Sequence, residues 1–214
     1  MFGFLDVPVE GAYHLIHALT GPFSTALAIV LFTLGVRLLL HPLARSAARG
    51  ERARAALLPE IKTLQAKHKD DRDRLAAEVT KLQQESGTSL FTGCLPLLLQ
   101  LPFFTVMYRL FTTPVIGGEP NSLLGATLLG TPLGAHGLAG GPLVFVIAAG
   151  LAVVAWFSVR QQPRDTGVPG GKLIRLLPYG TVLATLVLPQ AAGIYLLTTT
   201  AWTAAERALL RRGS

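Results

Sequence analysis

One arginine lies inside the first long apolar stretch of the chain, where a charged side chain is costly. Arg37 falls in the run PFSTALAIVLFTLGVRLLL, between Pro22 and Leu40. A guanidinium inside a membrane helix costs about 2.5 to 3.5 kcal/mol on insertion scales, so it is normally kept only beside a polar cavity or partner. Arg37 lies five residues before Pro42, and its Cα atom is therefore only about 8 Å from that end of a helix. Its long side chain could reach lipid headgroups from there. Both interpretations, a polar-site cation and an interfacial anchor, are open at this point.

A second apolar run, from Leu90 to Phe111, carries the amide Gln100 near its middle. A buried amide can offer two donors and an acceptor to water or to a substrate backbone, and it can equally form a hydrogen bond between two helices. Threonines in the apolar runs could extend this polarity, although hydroxyls in membrane helices commonly bond their own backbone. The threonines we select are Thr33, Thr105 and Thr199.

The residue types that support enzymatic catalysis are scattered along the chain. Zinc binding needs clustered cysteine, histidine or carboxylate side chains, whereas Cys94 is the single cysteine and the five histidines are dispersed. The sequence contains neither a serine, histidine and acid pattern nor a phosphate-binding loop motif. We therefore expect no enzymatic activity, no metal site and no cofactor, and we expect Cys94 to be a small packing residue.

Composition assigns these polar residues to a membrane protein. Half of the 214 residues are hydrophobic, 14% are charged, and the mean hydropathy is +0.49. A soluble domain has about 25% charged residues. Of the 31 charged residues, 17 lie in the 41 residues from Arg45 to Glu85. This distribution predicts one membrane domain with one water-exposed insert, and it excludes a disordered chain and a disulfide-stapled secreted module.

The apolar runs predict an all-α, polytopic membrane protein with five transmembrane helices and a cytoplasmic helical hairpin. The predicted spans are residues 22–42, 90–111, 142–160, 173–188 and 189–206. The hairpin occupies residues 43–89, with Asp71 as the N-cap of its second helix. It is inferred from two apolar sets at spacings of three and four, namely Leu57, Ile61 and Leu64, then Leu75, Val79 and Leu82. The alternative is a solvated linker that only separates two membrane spans. Such a linker would not need two matched apolar stripes.

The basic residues set the predicted orientation. Residues 1–21, residues 112–141 and the turn at Pro189 contain no lysine or arginine, and the positive-inside rule places such segments outside the cell. The N-terminal segment and the loop 112–141 are therefore predicted to be extracellular, and the loop 161–172 and the basic tail 207–214 cytoplasmic. Counting the glycine-interrupted stretch LLGATLLGTPLGAHGL as a sixth span would put the last arginines outside, so we do not count it.

Three stretches resemble the YidC-type membrane protein insertases, the family that includes the mitochondrial and chloroplast Oxa and Alb proteins. They are VRLLLHPL at the end of the first span, LLPEIKTLQAKHKDD in the hairpin, and GCLPLLLQLPFFTVMYRLF in the second span. A weaker similarity, LPQAAGIYLLTTTAWTAAE, lies at the position of the family's last helix. The resemblance implies five helices, an extracellular N-terminus and a hydrophilic groove open to lipid and cytoplasm but closed outside. The chain departs from many members at Leu196, Thr200 and Glu206, where they carry Trp, Asn and Gln.

The resemblance makes Arg37 the positive charge of the groove and places Gln100 on the helix packed beside it. From their hydroxyls, we expect Thr33, Thr105 and Thr199 to be further groove residues. It implies a membrane protein insertase and chaperone of the bacterial cell membrane, which moves polar tails of client proteins across and releases their helices into lipid. Nascent membrane proteins and the lipid bilayer are the expected partners, with the ribosome and the Sec translocon as further candidates. The side chains expected to contact clients or the ribosome are Arg72, Arg74, Arg207, Arg211 and Arg212.

A small anion transporter or channel that uses the same arginine is the alternative function. Such a protein would be expected to show inverted repeats and paired broken helices. The sequence has no internal symmetry of this kind, so the insertase is the preferred hypothesis.

Overall fold

The computed structural model describes residues 6–69, 71–86, 95–162 and 171–212, and at residues 51, 54, 83, 95–100, 171–174 and 211–212 it describes the backbone alone. The helices are α1 (Asp6–Thr20), α2 (Thr25–Leu39), α3 (His41–Ala56), α4 (Leu58–Lys67), α5 (Arg72–Glu85), α6 (Leu95–Thr112), α7 (Gly141–Gln161), α8 (Gly171–Ala184) and α9 (Gln190–Arg212). The mostly helical class is thus confirmed. Cys94 lies outside the described residues, as do Arg164 and the other residues between α7 and α8 from 163 to 170.

The chain divides into two compact units. One contains Met1–Leu39, Leu101–Gln162 and Lys172–Ser214, and the other contains Leu40–Gln100 and Pro163–Gly171.

The larger unit is organised around α9, which packs against both α7 and α2, while α1 packs against α2. Small residues allow the close approach of α7 and α9. A Cβ atom at Gly193 would lie 3.2 Å from Cγ2 of Ile147, and one at Gly150 would lie 3.0 Å from Cδ1 of Leu197. Helices in membranes commonly meet through such small residues. The core includes the fully buried side chains Ile16, Ile29, Met107, Leu110, Phe111, Leu133 and Leu151.

A helix that the sequence did not predict occupies the N-terminal segment. Along α1, Val9, Ala12, Tyr13 and Ile16 are buried, as expected for one face of a helix. The Tyr13 hydroxyl lies 3.2 Å from Oγ of Ser122. An ion pair of 2.9 Å between Oδ1 of Asp6 and Nη1 of Arg109 joins α1 to α6.

Residues 113–140, hereafter the β-loop, contain the only strands that the described residues form. Strands β1 (Val115–Ile116) and β2 (Glu119–Pro120) pair antiparallel, as do β3 (Thr127–Leu128) and β4 (Thr131–Pro132). The buried amide of Asn121 organises the first half, because its Nδ2 donates to the carbonyl oxygens of Leu110 at 2.6 Å and Thr113 at 3.0 Å. The sequence did not predict these strands. No long helix forms in residues 123–138, the glycine-interrupted stretch that was not counted as a span.

Two predicted boundaries in the last third of the chain differ from the structure. Helix α8 ends at Ala184 rather than at residue 188, because the next residues form turns in which the amides of Thr185 and Leu188 donate to carbonyl oxygens of the last helical turn. Helix α9 continues to Arg212, so the described part of the predicted tail 207–214 is a continuation of this helix. Residues 213–214 lie outside the described residues.

By length and apolar composition, one helical segment among the described residues could cross a membrane alone, Gly137–Gln161. A second candidate arises if Thr25–Leu39 and His41–Gly50 are counted as one span. Helix α2 by itself has 15 residues and α8 has 14, which is short of the about 20 residues that a hydrocarbon core of ~30 Å requires. Large apolar side chains of α7 are nevertheless exposed, including Phe145, Val146, Val153 and Phe157.

The smaller unit contains α3, α4 and α5. Helices α4 and α5 pack against each other, and Leu64 and Leu82 line the same cavity between them. Asp71 is the N-cap of α5, since its Oδ1 accepts a 2.9 Å hydrogen bond from the amide of Arg74. The predicted cap is therefore confirmed. The two apolar stripes of the predicted hairpin are half-buried in this unit.

Candidate functional site

A polar contact within the larger unit joins Arg37 to the middle of α9. Arg37 lies in the last turn of α2 and is half-buried. Its Nε donates a 2.7 Å hydrogen bond to Oγ1 of Thr199, and its Nη2 donates to the same oxygen. Thr199 is 3% exposed. The guanidinium is therefore held against a buried hydroxyl, where it is partly shielded from solvent.

Two further buried polar side chains lie on the same face of α9 as Thr199. Tyr195 precedes it by one turn and Glu206 follows it by two turns, and both are buried. Glu206 is close enough to Arg37 for an electrostatic interaction. We call Arg37, Tyr195, Thr199 and Glu206 the polar cluster.

Two of the other predicted groove residues form hydrogen bonds within their own helices. Thr33 is one turn before Arg37 on α2 and is buried, but its hydroxyl donates to the carbonyl oxygen of Ile29 at 2.7 Å. Thr105 on α6 donates to its own helix at Leu101, at 2.8 Å. Gln100 also lies on α6, but its side chain is outside the described residues. Of the predicted set, the structure brings Arg37 and Thr199 into direct contact.

The basic residues expected to contact clients or the ribosome lie at two places. Arg72 and Arg74 are exposed in the first turn of α5, and Arg207 is exposed near the end of α9. Arg211 and Arg212 form the last residues of α9, and their side chains are outside the described residues. These exposed arginines add positive charge to the surface at both places.

The N-terminal end of α9 is closed by the β-loop. The first amides of a helix lack partners within the helix, and here the amides of Gln190 and Ala191 donate to the carbonyl oxygens of Ala135 at 2.9 Å and Leu133 at 3.0 Å. The buried Gln190 side chain donates from Nε2 to the carbonyl oxygen of Gly137 at 3.1 Å. Because Gln190 and Thr199 are nine residues apart, these hydrogen bonds lie about 13 Å along the helix from Thr199.

The polar cluster offers donors that can bind and orient an anionic group. A guanidinium offers planar donors that suit a carboxylate, and a partly buried site strengthens that attraction relative to water. Among the described residues, no group of three or more histidine, cysteine, aspartate or glutamate side chains is placed to hold a metal ion. The arrangement therefore suits reversible contact with an anionic group.

Comparison with known proteins identifies the family. The family model described as 60Kd inner membrane protein matches residues 15–214. The chain belongs to this family. It is 33% identical to the membrane protein insertase YidC of Streptomyces avermitilis over 63% of this chain and 35% of that protein. It is 31% identical to the membrane protein insertase YidC of Mycolicibacterium paratuberculosis over 89% of this chain and 69% of that protein.

The fold is similar to that of a solved YidC structure. The crystal structure of an active YidC insertase with its first transmembrane domain resolved matches with a TM-score of 0.69 and 22% identity, over 96% of this chain and 46% of that chain. The resemblance to YidC-type proteins is thus confirmed. The present chain spans about a third of the length of the Streptomyces relative and about half of the solved chain.

Two residues of the polar cluster, Tyr195 and Glu206, were not predicted from the sequence. Glu206 was noted only as a departure from many YidC-type proteins, which carry Gln there. The available signal was helical spacing, because Glu206 follows Thr199 by seven residues and Tyr195 precedes it by four. These spacings put all three on one helix face once Thr199 is known to face Arg37.

Replacing Thr199 with valine is expected to destabilise the protein. Valine nearly preserves the shape of threonine but removes the oxygen that accepts from Arg37. We expect the free energy of unfolding, measured by SDS titration in mixed micelles, to fall by about 1 to 2 kcal/mol. Thr198→Val is the matched control, because the Thr198 hydroxyl donates to its own helix at Ile194. Equal losses in the two variants would contradict the assigned contact.

Proposed function

We propose that this chain is a membrane protein insertase and chaperone of the bacterial cell membrane, which moves polar tails of client membrane proteins across and releases their apolar helices into lipid. The observation that carries the proposal is the half-buried guanidinium of Arg37, held on Thr199 beside the buried Glu206. Membership of the YidC-type family supports the same activity. The proposed action needs no covalent step, so the protein is not proposed to be an enzyme and requires no cofactor.

In the proposed arrangement α2, α6, α7, α8 and α9 are the five membrane spans. The N-terminal segment and the β-loop lie outside the cell, and the smaller unit and the C-terminal end of α9 are cytoplasmic. Two observations support it. The β-loop contains no lysine or arginine, and exposed leucine, valine and phenylalanine side chains on α7 and α8 suit contact with lipid.

The polar cluster is proposed to lie in a hydrophilic groove formed with Gln100, Thr33 and Thr105. There Arg37 acts as a transient counter-ion for an acidic tail, which lowers the cost of moving that charge through the membrane. The membrane potential favours outward movement of an acidic tail by about 2.3 kcal/mol per charge per 100 mV. The hydrogen bonds between the β-loop and the start of α9 support a groove closed on the outer side.

Partners are proposed from the charges at the cytoplasmic side. Clients and the lipid bilayer are required by the activity itself. Arg72 and Arg74 of α5, and the three arginines at the end of α9, suit ribosomal RNA or anionic headgroups, because both present phosphates. The Sec translocon is a further proposed partner, on the basis of the family resemblance.

Single cysteines should report the proposed orientation. In a Cys94→Ser background, Glu119→Cys on the exposed strand β2 is expected to react with a membrane-impermeant maleimide added to intact cells. Ala76→Cys, exposed on α5, should react only after the cells are permeabilised. Labelling of Ala76→Cys but not of Glu119→Cys in intact cells would show the opposite orientation.

Reconstitution tests the proposed function directly. Purified protein in proteoliposomes should increase insertion of a single-span client with a short acidic tail, measured as protection of the tail from external protease, relative to protein-free liposomes. Insertion at the protein-free level would contradict the proposal. Anion flux through the same proteoliposomes without client insertion would instead favour the transporter.

A further inference from the structure

One acidic side chain of the polar cluster, Glu206, is buried. Among the residues that the structure describes, Glu206 is the one aspartate or glutamate that is buried, with 8% of its surface exposed. Burial of a carboxylate costs several kcal/mol unless a positive or hydrogen-bonding partner compensates it. Glu206 therefore needs a positive or hydrogen-bonding partner.

The position of Glu206 on α9 points to Arg37 as that partner. Seven residues separate it from Thr199, which places it on the same helix face about 10 Å further along the axis. Arg37 contacts Thr199 and extends from the end of α2, the helix packed against α9. The electrostatic interaction between Arg37 and Glu206 is consistent with this placement. Arg207, the next residue, is exposed and so faces away from the buried side of the helix.

We propose that Glu206 is the resident counter-ion of Arg37 and sets the selectivity of the groove for the charge of client tails. This inference rests on the proposed insertase function. With Glu206 ionised, the polar cluster carries one positive and one negative charge instead of a single positive charge. An acidic tail must then compete with Glu206 for the guanidinium, whereas a neutral tail meets a site without net charge.

The charge of Glu206 affects which client tails the site accepts. Repulsion from Glu206 offsets part of the attraction that Arg37 exerts on an acidic tail. The protein is therefore less selective for strongly acidic tails than a site with an uncompensated guanidinium, and it also accepts clients whose tails are neutral or carry few acidic residues. A site with glutamine at this position would prefer strongly acidic tails, because the guanidinium would be uncompensated.

Glu206→Gln tests this role because it removes the charge and keeps the shape and hydrogen-bonding capacity of the side chain. Insertion of two single-span clients, identical except for an acidic or a neutral tail, is measured with the same proteoliposome preparation. We expect the ratio of acidic-tail to neutral-tail insertion to rise about fifteenfold, the factor for one like-charge repulsion across about 10 Å at an effective dielectric constant of ~20. Because it is a ratio within one preparation, it does not depend on how much protein folds.

Two variants control for structural effects. Glu206→Asp keeps the charge and should leave the ratio near the wild-type value. Glu119→Gln removes the same charge from the exposed strand β2, far along the chain from the cluster, and should also leave the ratio unchanged.

An unchanged ratio in Glu206→Gln would overturn the inference, as would an equal rise in Glu206→Asp. If wild-type protein inserts the clients and Arg37→Ala loses the acidic one, the proposed function survives such a result and only the role of Glu206 fails. Absence of insertion by wild-type protein would overturn the proposed function and this inference together.

Discussion

Arg37→Ala is expected to lose most of its insertion activity toward clients with acidic tails, by about a hundredfold. A guanidinium and a carboxylate about 5 Å apart attract each other by about 3 kcal/mol at an effective dielectric constant of ~20, and alanine removes this attraction. Arg37→Lys keeps the positive charge and should retain much of the activity. The measurement is insertion into proteoliposomes that contain equal amounts of folded protein.

The client supplies the control for this prediction. Neutralising the acidic residues of the tail should reduce the dependence of insertion on Arg37, because there is then no charge to compensate. An arginine that only anchors the helix at the membrane surface predicts no dependence on tail charge. Equal insertion of acidic and neutral clients by wild-type and Arg37→Ala protein would therefore contradict the groove mechanism. Loss of insertion for both clients would assign Arg37 to hydration of the groove instead of charge pairing.

Gly137→Ala is expected to cause the largest loss of stability among substitutions in the β-loop. Gly137 has a positive φ of 48°, which side chains rarely adopt, and a Cβ atom there would lie 2.2 Å from the carbonyl oxygen of Leu186. That neighbour is backbone and cannot rotate away. Strain and overlap together should lower the free energy of unfolding by about 3 kcal/mol or more. SDS titration in mixed micelles measures the loss.

Gly130→Ala separates the two contributions. Gly130 also has a positive φ, of 75°, but a Cβ atom there would meet nothing within 4 Å. It should therefore cost only the conformational strain, about 1 to 2 kcal/mol. Equal losses in the two variants would mean that Gly137 does not pack against the turn before α9. Because the Gly137 carbonyl accepts from Gln190, the larger loss is expected to weaken the closure at the start of α9 as well.

Features that depend on local composition were predictable from the sequence. The charged residues between Arg45 and Glu85 predict a polar insert between apolar segments. This prediction does not depend on how the helices pack, because moving a charged side chain into lipid is unfavourable at any position. The N-cap at Asp71 was predictable for a similar reason, since it requires only an oxygen three residues before the Arg74 amide. Arg37 was identified from its cost inside an apolar run. The five membrane spans and the groove role of Gln100 stay predictions.

Segments without a regular spacing of apolar residues, and contacts between residues far apart in the sequence, could not be predicted. The β-loop is rich in glycine and proline and has no repeat that distinguishes paired strands from an irregular loop. Its conformation depends on distant partners, including Tyr13 and the start of α9. Asp6 and Arg109 form an ion pair although most of α1, all of α2 to α5 and most of α6 lie between them in the sequence. No local pattern selects Asp6 from the other acids of the chain.

The identity of the polar cluster was decided by the rotation of α9 against α2. The run Thr198, Thr199 and Thr200 offers three chemically equal hydroxyls, and composition cannot choose among them. Successive residues of a helix point about 100° apart, so only one of the three can face Arg37. Packing of Ala191, Gly193 and Ile194 against neighbouring helices sets that rotation and turns Thr199 toward the guanidinium. Glu206 is brought to the same face by the same rotation. The sequence by itself determined that one arginine, Arg37, lies inside an apolar run, and only the tertiary contacts decided which side chains surround it.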